Sequence, residues 1–187
     1  MKDLLINGYP DTPFIHFANK YYAIMSKISE KEKIKIKKVG YLYLITKGRL
    51  SLFSSIPKFL GFGLKVFEGK FEKFFKIEKG ETVADIGACI GDTTLPMCIK
   101  AGMEGKVFAV EPHPINIGYL KLNLAEFSNV EIIEKAVWDK KGKIMLNVHD
   151  TPTGHSLLDR GITKWKIQVE TDTLDNIFKD RIVDFAK

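Results

Sequence analysis

The sequence has few cysteines, few histidines and no long apolar run. Cys89 and Cys98 are the two cysteines among 187 residues, too few for a disulfide framework and without partners at zinc-binding spacing. No segment approaches the roughly 20 consecutive apolar residues of a membrane-spanning helix, and the first residues lack the pattern of a secretory signal. We therefore expect a protein of the reducing cytoplasm, without disulfides, a bound metal or a transmembrane segment.

The sequence also lacks the three-glycine loop typical of pyrophosphate-binding proteins. A short apolar, β-branched run ends at Asp85 and is followed by Gly87 and Gly91, a Gly-x-x-x-Gly spacing. The third glycine of the Gly-x-Gly-x-x-Gly loop that holds a pyrophosphate is missing, and an acid beside the loop would repel a pyrophosphate. The same acid suits a ligand with an amine and a positive centre, such as S-adenosylmethionine, and a glycine loop lets the main chain approach that ligand closely. The alternative is a tight strand-to-helix turn in another α/β protein.

A second acid follows at an informative distance. The apolar strand predicted over 105–110 ends at Glu111, 26 residues after Asp85. In a βαβ unit this position lies beside the first glycine loop, at the carboxyl edge of a parallel sheet, where a carboxylate can accept both ribose hydroxyls of an adenosine. Pro114 predicts the start of a helix, and residues 129–137 are predicted to form the third strand. Apolar residues at helical spacing would face the sheet: Ile117, Leu120, Leu124 and Phe127.

Successive blocks of the sequence resemble the FkbM-type methyltransferases. They are residues 83–91, 107–114, 129–133 and 135–142, and residues 171–175 and 183–187 continue the likeness. The resemblance extends over roughly residues 66–187. It implies an α/β fold with a Rossmann-like class I methyltransferase sheet of strand order 3-2-1-4, and S-adenosylmethionine as methyl donor. It also implies O-methylation of a hydroxyl on a sugar, a glycan or a secondary metabolite.

The resemblance assigns roles to individual residues. The loop around the methionine part of the cofactor would consist of Asp85, Gly87, Ala88, Cys89 and Gly91. Glu111 would hold the ribose, and Lys135, Ala136 and Val137 would lie along the adenine. Many class I enzymes have an acid where this sequence has Lys135, so we expect the backbone to recognise the adenine here.

The region after the third strand predicts an inserted β-hairpin. Residues 142–148 and 165–170 have strand patterns, and the polar loop 151–156 between them would lie near the mouth of the site. His155 in this loop is a candidate to contact substrate or to act as a base, and an ordinary loop histidine is the alternative. His149 and Asp150 lack a third metal ligand at suitable spacing. His113 is expected to cap the following helix.

The basic charge of the chain belongs to its N-terminal part. Residues 1–79 carry 16 Lys and Arg against 7 Asp and Glu, whereas residues 80–187 carry 13 against 16. We expect residues 1–65 to form a mixed, partly helical cap, with a helix over 19–29 and one or two short strands over 33–44. Its lysines have three interpretations: a solvated face, a nucleic-acid surface, or weak contact with an anionic membrane. No RNA-binding module signature accompanies them, so nucleic acid is not the expected partner.

The end of the sequence predicts a partial domain. Residues 182–186 are predicted to form the fourth parallel strand, and Lys187 is the last residue. The resemblance implies a following acidic turn beside the methyl group, so for residues 66–187 we expect weak cofactor binding and little turnover. A degenerate cofactor-binding module and an RNA methyltransferase stay open as alternatives. The pattern specifies neither the methyl acceptor nor the oligomeric state.

Overall fold

The structure is a computed structural model that describes residues 34–39, 42–48, 50–54, 75–149, 154–159, 161, 163 and 165–187. The expected helix over 19–29, Asp150 and residues 151–153 lie outside the described residues. In chain order the elements are β1 (Ile34–Val39), β2 (Leu42–Lys47), β3 (Leu50–Ser54), β4 (Thr82–Ile86), α1 (Thr94–Ala101), β5 (Lys106–Val110), α2 (Pro114–Asn123), β6 (Val130–Ile133), β7 (Ala136–Val137), β8 (Gly142–Val148), β9 (Trp165–Asp172), α3 (Leu174–Ile177) and β10 (Phe185–Ala186).

The first three strands form an antiparallel sheet of order β1-β2-β3. Ile36 lies opposite Ile45, which lies opposite Leu52, so this register places apolar side chains side by side. Ile45 and Leu52 are fully buried and belong to the same apolar core as Val83 and Val107 of the later strands. The N-terminal sheet therefore shares its core with the rest of the fold. Its strands continue to Ser54, beyond the segment 33–44 in which strands were expected.

Asn123, the last residue of α2, joins this sheet to the glycine loop. Its side-chain oxygen accepts the Phe53 N–H at 2.7 Å. Its amide nitrogen donates to the Phe53 carbonyl at 3.0 Å and to the Ile90 carbonyl at 2.8 Å. One buried amide thus satisfies both main-chain groups of a β3 residue and a carbonyl of the loop after β4.

A parallel sheet of order β10-β4-β5-β6 forms the centre of the α/β fold. Val83 and Val107 are paired on neighbouring strands and are both fully buried, as expected for parallel strands covered on both faces. β10 lies beside β4 and pairs Phe185 with Val83. It is shorter than the strand expected over 182–186, and Ile182 is exposed. The carboxyl ends of β4, β5 and β6 meet at one edge of this sheet.

A third sheet has the order β7-β9-β8. β8 and β9 form an antiparallel pair from Gly142↔Thr171 to Val148↔Trp165, and β7 pairs with β9 in parallel. The single third strand expected over 129–137 is therefore wrong. β6 belongs to the parallel sheet and β7 to this one, because the chain turns between them, where the Lys135 N–H donates to the Ile133 carbonyl. Within the described ranges, no helix has both the length and the apolar character to span a bilayer.

Candidate active site

A cavity of about 320 Å³ opens at the carboxyl edge of the parallel sheet. Its wall combines residues 86, 87 and 89 after β4, residues 110–112 after β5, and residues 135–137 at the passage between the two sheets. Leu146 of β8 and residues 155–157 complete it on the hairpin side. Parallel α/β sheets bind ligands at this edge because the loops that follow neighbouring strands converge there.

The loop after β4 is shaped by residues with positive φ. Gly87, Cys89 and Gly91 have φ values of 74°, 54° and 92°, a region that glycine enters freely and cysteine at a cost. The Gly87 and Ala88 N–H groups both donate to the Val110 carbonyl, which ties the loop to β5. A Cβ atom on Gly91 would lie 3.1 Å from a Leu120 methyl group. Gly91 therefore permits close packing of the loop on α2 and does not line the cavity.

Glu111 is buried at the centre of the cavity wall. One oxygen, Oε2, accepts the Cys89 N–H at 2.9 Å. The other, Oε1, accepts the His113 N–H at 2.9 Å and the Asn116 amide at 3.3 Å. Burial raises the pKa of Glu111 to about 7, and these three hydrogen bonds oppose the rise. A carboxylate has about four acceptor sites, so these contacts leave about one for a ligand hydroxyl.

Asp85 lies behind the loop and outside the cavity wall. Its side chain is fully buried, and Oδ2 accepts the hydroxyls of Thr93 and Thr94 at 2.7 Å each. The Lys187 ammonium approaches Oδ1 at 2.5 Å and donates to the Thr93 hydroxyl at 3.2 Å. Asp85 thus organises the loop from behind, and Ala88 and Gly91 are likewise outside the wall. Sequence reasoning missed Lys187; its position directly after β10, beside β4, was the available signal.

Asp92 adds a second buried acid behind the loop. Its pKa is raised from 3.8 to about 7, first because burial penalises the charged form and then because Asp85 is close. Lys187 opposes both effects and lowers the pKa of Asp92. The ionised carboxylate of Asp92 is therefore less stable in the folded chain than in the unfolded one.

We expect Asp92→Asn to stabilise the fold at pH 8 by about 1–3 kcal/mol and to have little effect near pH 4. The folded pKa is the higher one, so the wild type loses stability as the pH rises from about 4 to about 7. The amide carries no charge and avoids this loss. Urea denaturation at both pH values measures the difference. Asp139→Asn, at an exposed position, is the control, and equal stability of Asp92→Asn and wild type at pH 8 would contradict the prediction.

Lys135 lines the cavity, and its ammonium group forms an ion pair. Its ammonium donates to Asp172 at 2.8 Å, and this hydrogen bond is the main reason why the pKa of Asp172 is lowered. The Asn176 amide also donates to Asp172. An acid at the end of β9 is therefore the partner of this lysine. Its ion pair holds the passage between the sheets in place.

Three histidines lie together on the hairpin side. The rings of His113 and His155 have centroids 4.1 Å apart, and the His149 N–H donates to Nδ1 of His155 at 3.2 Å. His155 lines the cavity. His113 is the N-cap residue of α2, the position expected from the sequence, but its side chain makes no capping hydrogen bond. Among the described residues, no group of three or more His, Cys, Asp or Glu side chains is arranged to hold a metal ion.

Both thiols are buried. Burial raises the pKa of Cys89 well above its usual value, with Asp92 and Glu111 adding to the rise. Burial also raises the pKa of Cys98 to about 12. The main-chain N–H of Cys89 donates to Glu111, and the side chains of both cysteines belong to the apolar core.

Comparison with protein families adds the decisive observation to this geometry. The family described as "Methyltransferase FkbM domain" matches residues 85–187, more than half of the chain. The chain belongs to this family. The matched segment begins at Asp85 and contains the glycine loop, Glu111, the passage 135–137 and Lys187.

Individual relatives of this FkbM domain are similar over shorter spans. A probable ribosomal RNA small subunit methyltransferase A of Methanosphaera stadtmanae is 38% identical over 78 residues, covering 38% of this chain and 28% of the relative. An S-adenosylmethionine-dependent methyltransferase from Aquifex aeolicus is 25% identical with a TM-score of 0.34, covering 41% of this chain and 45% of that one. The FkbM methyltransferase from Methylobacillus flagellatus is 15% identical with a TM-score of 0.42, covering 60% and 26%. The chain thus spans less than half the length of each of these proteins.

S-adenosylmethionine is the cofactor of this family, and the residues of the cavity fit it. Glu111 has about one free acceptor site at the sheet edge. Gly87 and Cys89 bring the main chain to the cavity wall, and Ala136 and Val137 provide an apolar surface. Among the described residues that line the cavity, Lys135 is the one cation, and its ammonium group is paired with Asp172. The ammonium group of Lys187 is paired with Asp85, so neither lysine is unpaired and available to a pyrophosphate.

Proposed function

We propose that this protein binds S-adenosylmethionine in the cavity and transfers its methyl group to a hydroxyl of a sugar, a glycan or a secondary metabolite. The observation that carries the proposal is the position of Glu111, buried beside the loop of Gly87 and Cys89 and lining the same cavity as residues 135–137. These three segments follow β4, β5 and β6, three neighbouring strands of one parallel sheet, in a chain that belongs to the FkbM family.

Each part of the cofactor contacts a different set of these residues. The methionine part lies against Gly87 and Cys89 at the cavity wall. Ala88, Gly91 and Asp85 support this loop from outside the wall. Glu111 accepts a ribose hydroxyl. Lys135, Ala136 and Val137 lie along the adenine. The resemblance led us to expect Glu111 to hold both hydroxyls, and the three donors already on its oxygens support a single strong contact instead.

When bound, the cofactor supplies a methyl group on a sulfonium that a substrate oxygen can attack in line. The sulfonium is already activated, so alignment supplies most of the rate enhancement. The chain contributes a stiff loop, because Gly87 and Ala88 are tied to Val110 and Cys89 to Glu111. The proton of the hydroxyl passes to a base, and no described side chain that lines the cavity is assigned to this role.

Calorimetry with S-adenosylhomocysteine and NAD tests the cofactor assignment. We expect measurable binding of S-adenosylhomocysteine and none of NAD, because Glu111 would repel a pyrophosphate and no unpaired cation faces it within the described part of the chain. Glu111→Gln should weaken binding by roughly 1.5–3 kcal/mol, since it removes the charge and replaces one of the two acceptor oxygens by an NH2 donor. Glu131→Gln on the neighbouring strand, with its side chain exposed, is the matched control. Binding of NAD without binding of S-adenosylhomocysteine would refute the assignment.

An RNA acceptor is the second candidate. It is favoured by the relative described as a probable ribosomal RNA methyltransferase and by the excess of lysine in residues 1–79. Contacts of these lysines with phosphates would make binding strongly salt-dependent. Titration of a structured RNA at 50 and 200 mM salt distinguishes the two acceptors, because a small hydroxyl acceptor requires no such binding. Cofactor binding without methyl transfer to either class would instead indicate a non-catalytic module.

We also propose the division into a cap of residues 1–65 and a methyltransferase domain of residues 66–187. The antiparallel sheet β1-β2-β3 supports a folded cap, because its buried residues belong to the core of the parallel sheet. The basic residues of the cap are proposed to form a solvated face, with weak contact to anionic membranes as the alternative.

A further inference from the structure

One of the three hydrogen-bond donors on the Glu111 carboxylate is a side chain. The main-chain N–H groups of Cys89 and His113 donate to it at 2.9 Å each. The third donor is the amide of Asn116, which lies 3.3 Å from Oε1. Asn116 is a buried residue of α2 and does not line the cavity. A substitution can remove this donor and leave both main-chain donors in place.

The three donors are divided unequally between the two oxygens of Glu111. Oε1 accepts the His113 N–H and the Asn116 amide. Among the described residues, the Cys89 N–H is the donor to Oε2. A carboxylate oxygen has about two acceptor positions, so Oε1 is filled and Oε2 keeps one. Because Glu111 lines the cavity, the acceptor position left for a ligand hydroxyl is the one on Oε2.

A proton on Glu111 requires the same position. All three of its partners are N–H groups that donate in this arrangement, so none of them can accept the hydrogen of a protonated carboxyl. That hydrogen therefore takes the remaining position on Oε2. Burial raises the pKa of Glu111 to about 7, and the Asn116 amide is one of the three hydrogen bonds that oppose the rise. Near neutral pH, Asn116 thus favours the ionised form that leaves Oε2 open.

The other titratable groups around Glu111 are few. Burial lowers the pKa of His113 to about 4 and that of His155 to about 3, and it raises the pKa of Cys89 well above its usual value, so these three groups are neutral between pH 6 and pH 9. Asp92, behind the loop, also has a pKa of about 7 and requires a control. The remaining nearby charges form two ion pairs, Lys187–Asp85 and Lys135–Asp172.

We propose that Asn116 is a positioning residue of the cofactor site, whose amide fills Oε1 of Glu111 and leaves a single position, on Oε2, for which a proton and a ligand hydroxyl compete. This inference rests on the proposed function, because it takes the ligand of the cavity to be S-adenosylmethionine or its product. It adds a residue of α2 to the site. It also makes ligand binding release protons near neutral pH.

Proton release is measured by calorimetry of S-adenosylhomocysteine binding at pH 7 in phosphate and in Tris, two buffers with different ionisation enthalpies. We expect the wild type to release about 0.3–0.5 proton per ligand bound, since about half of the Glu111 carboxyls are protonated in the free protein. Glu111→Gln should release none. Asp92→Asn removes the other acid with a pKa of about 7, and it should release as many protons as the wild type.

The role of Asn116 is tested with Asn116→Leu, which roughly retains the shape of the side chain and removes the donor. Loss of a hydrogen bond to an ionised group raises the pKa of Glu111 by about one unit. We therefore expect binding of S-adenosylhomocysteine to be roughly two- to fivefold weaker than in the wild type at pH 7 and equal at pH 9, where Glu111 is ionised in both. A change in packing alone would weaken binding by the same factor at both pH values. Leu122→Ala, at an exposed position of the same helix, is the control and should bind like the wild type.

Absence of proton release by the wild type would overturn the proposal without any variant, so the test does not depend on the folding of Asn116→Leu. Undiminished release by Glu111→Gln would assign the proton to another group and would also overturn it. So would wild-type affinity of Asn116→Leu at pH 7, or an equal loss at pH 7 and pH 9. Failure of the wild type to bind S-adenosylhomocysteine at either pH would instead refute the proposed function.

Discussion

Lys187→Met is expected to lower the free energy of unfolding by about 3–5 kcal/mol, because it removes one partner of a buried ion pair. Asp85 is fully buried, and Lys187 is the cation at its Oδ1. Without this cation the carboxylate has only the two threonine hydroxyls at Oδ2. The nearby Asp92, whose pKa Lys187 lowers, loses the same compensation. Urea denaturation followed by circular dichroism at pH 7 measures the effect.

The matched control is Lys121→Met, which removes the cation of the exposed pair Lys121–Glu134. Exposed pairs contribute about 0–1 kcal/mol, so this variant should remain close to the wild type. The double variant Lys187→Met with Asp85→Asn should be more stable than Lys187→Met alone, since it no longer buries an uncompensated charge. Equal effects of Lys187→Met and Lys121→Met would show that Lys187 does not stabilise the loop.

Asn123→Leu is expected to destabilise the chain by about 2–4 kcal/mol. The substitution leaves the Phe53 N–H, the Phe53 carbonyl and the Ile90 carbonyl without their side-chain partner, and buried polar groups without partners cost about 1–3 kcal/mol each. The leucine side chain recovers part of the loss by apolar burial. Thermal and urea denaturation measure the change.

Two further variants separate the hydrogen bonds of Asn123 from its packing. Leu122→Ala, at the neighbouring and more exposed position, should cost less than Asn123→Leu. Asn123→Asp retains an acceptor for the Phe53 N–H but has no donor for the two carbonyls, and it buries a charge. It should therefore also be less stable than the wild type. A stability of Asn123→Leu within 0.5 kcal/mol of the wild type, the range of most surface substitutions, would contradict the bridging role.

The centre of the fold could be predicted because its signals are local. The apolar runs that end at Asp85 and Glu111 are β4 and β5, and Pro114 opens α2. The glycine loop was placed correctly along the chain, since positive φ values are required within a few residues of a strand end. These features depend on neighbouring residues, which the sequence displays directly.

The remaining features depend on partners that are distant in sequence. Residues 130–137 are a nearly continuous β-type run, and only pairing with β5 on one side and β9 on the other divides it between two sheets. Lys187 reaches Asp85 across 102 positions because β10 pairs with β4. Glycine spacing shows that Gly91 is needed but not that it faces Leu120 instead of the cavity. The His149 N–H donates to His155 in the loop after β8, a contact that no residue pattern encodes.

The burial of both thiols has a practical consequence for experiments on this protein. Burial raises the pKa of Cys98 to about 12, so its thiol is almost entirely un-ionised at pH 7. Burial also raises the pKa of Cys89, which lies at the cavity wall and is 9% exposed. Maleimide reagents should therefore leave the folded chain unmodified at neutral pH. A single cysteine introduced at the exposed Ile182 would accept a fluorophore or spin label without prior removal of the natural cysteines. Loss of that selectivity in denaturant would then report opening of the core around the glycine loop.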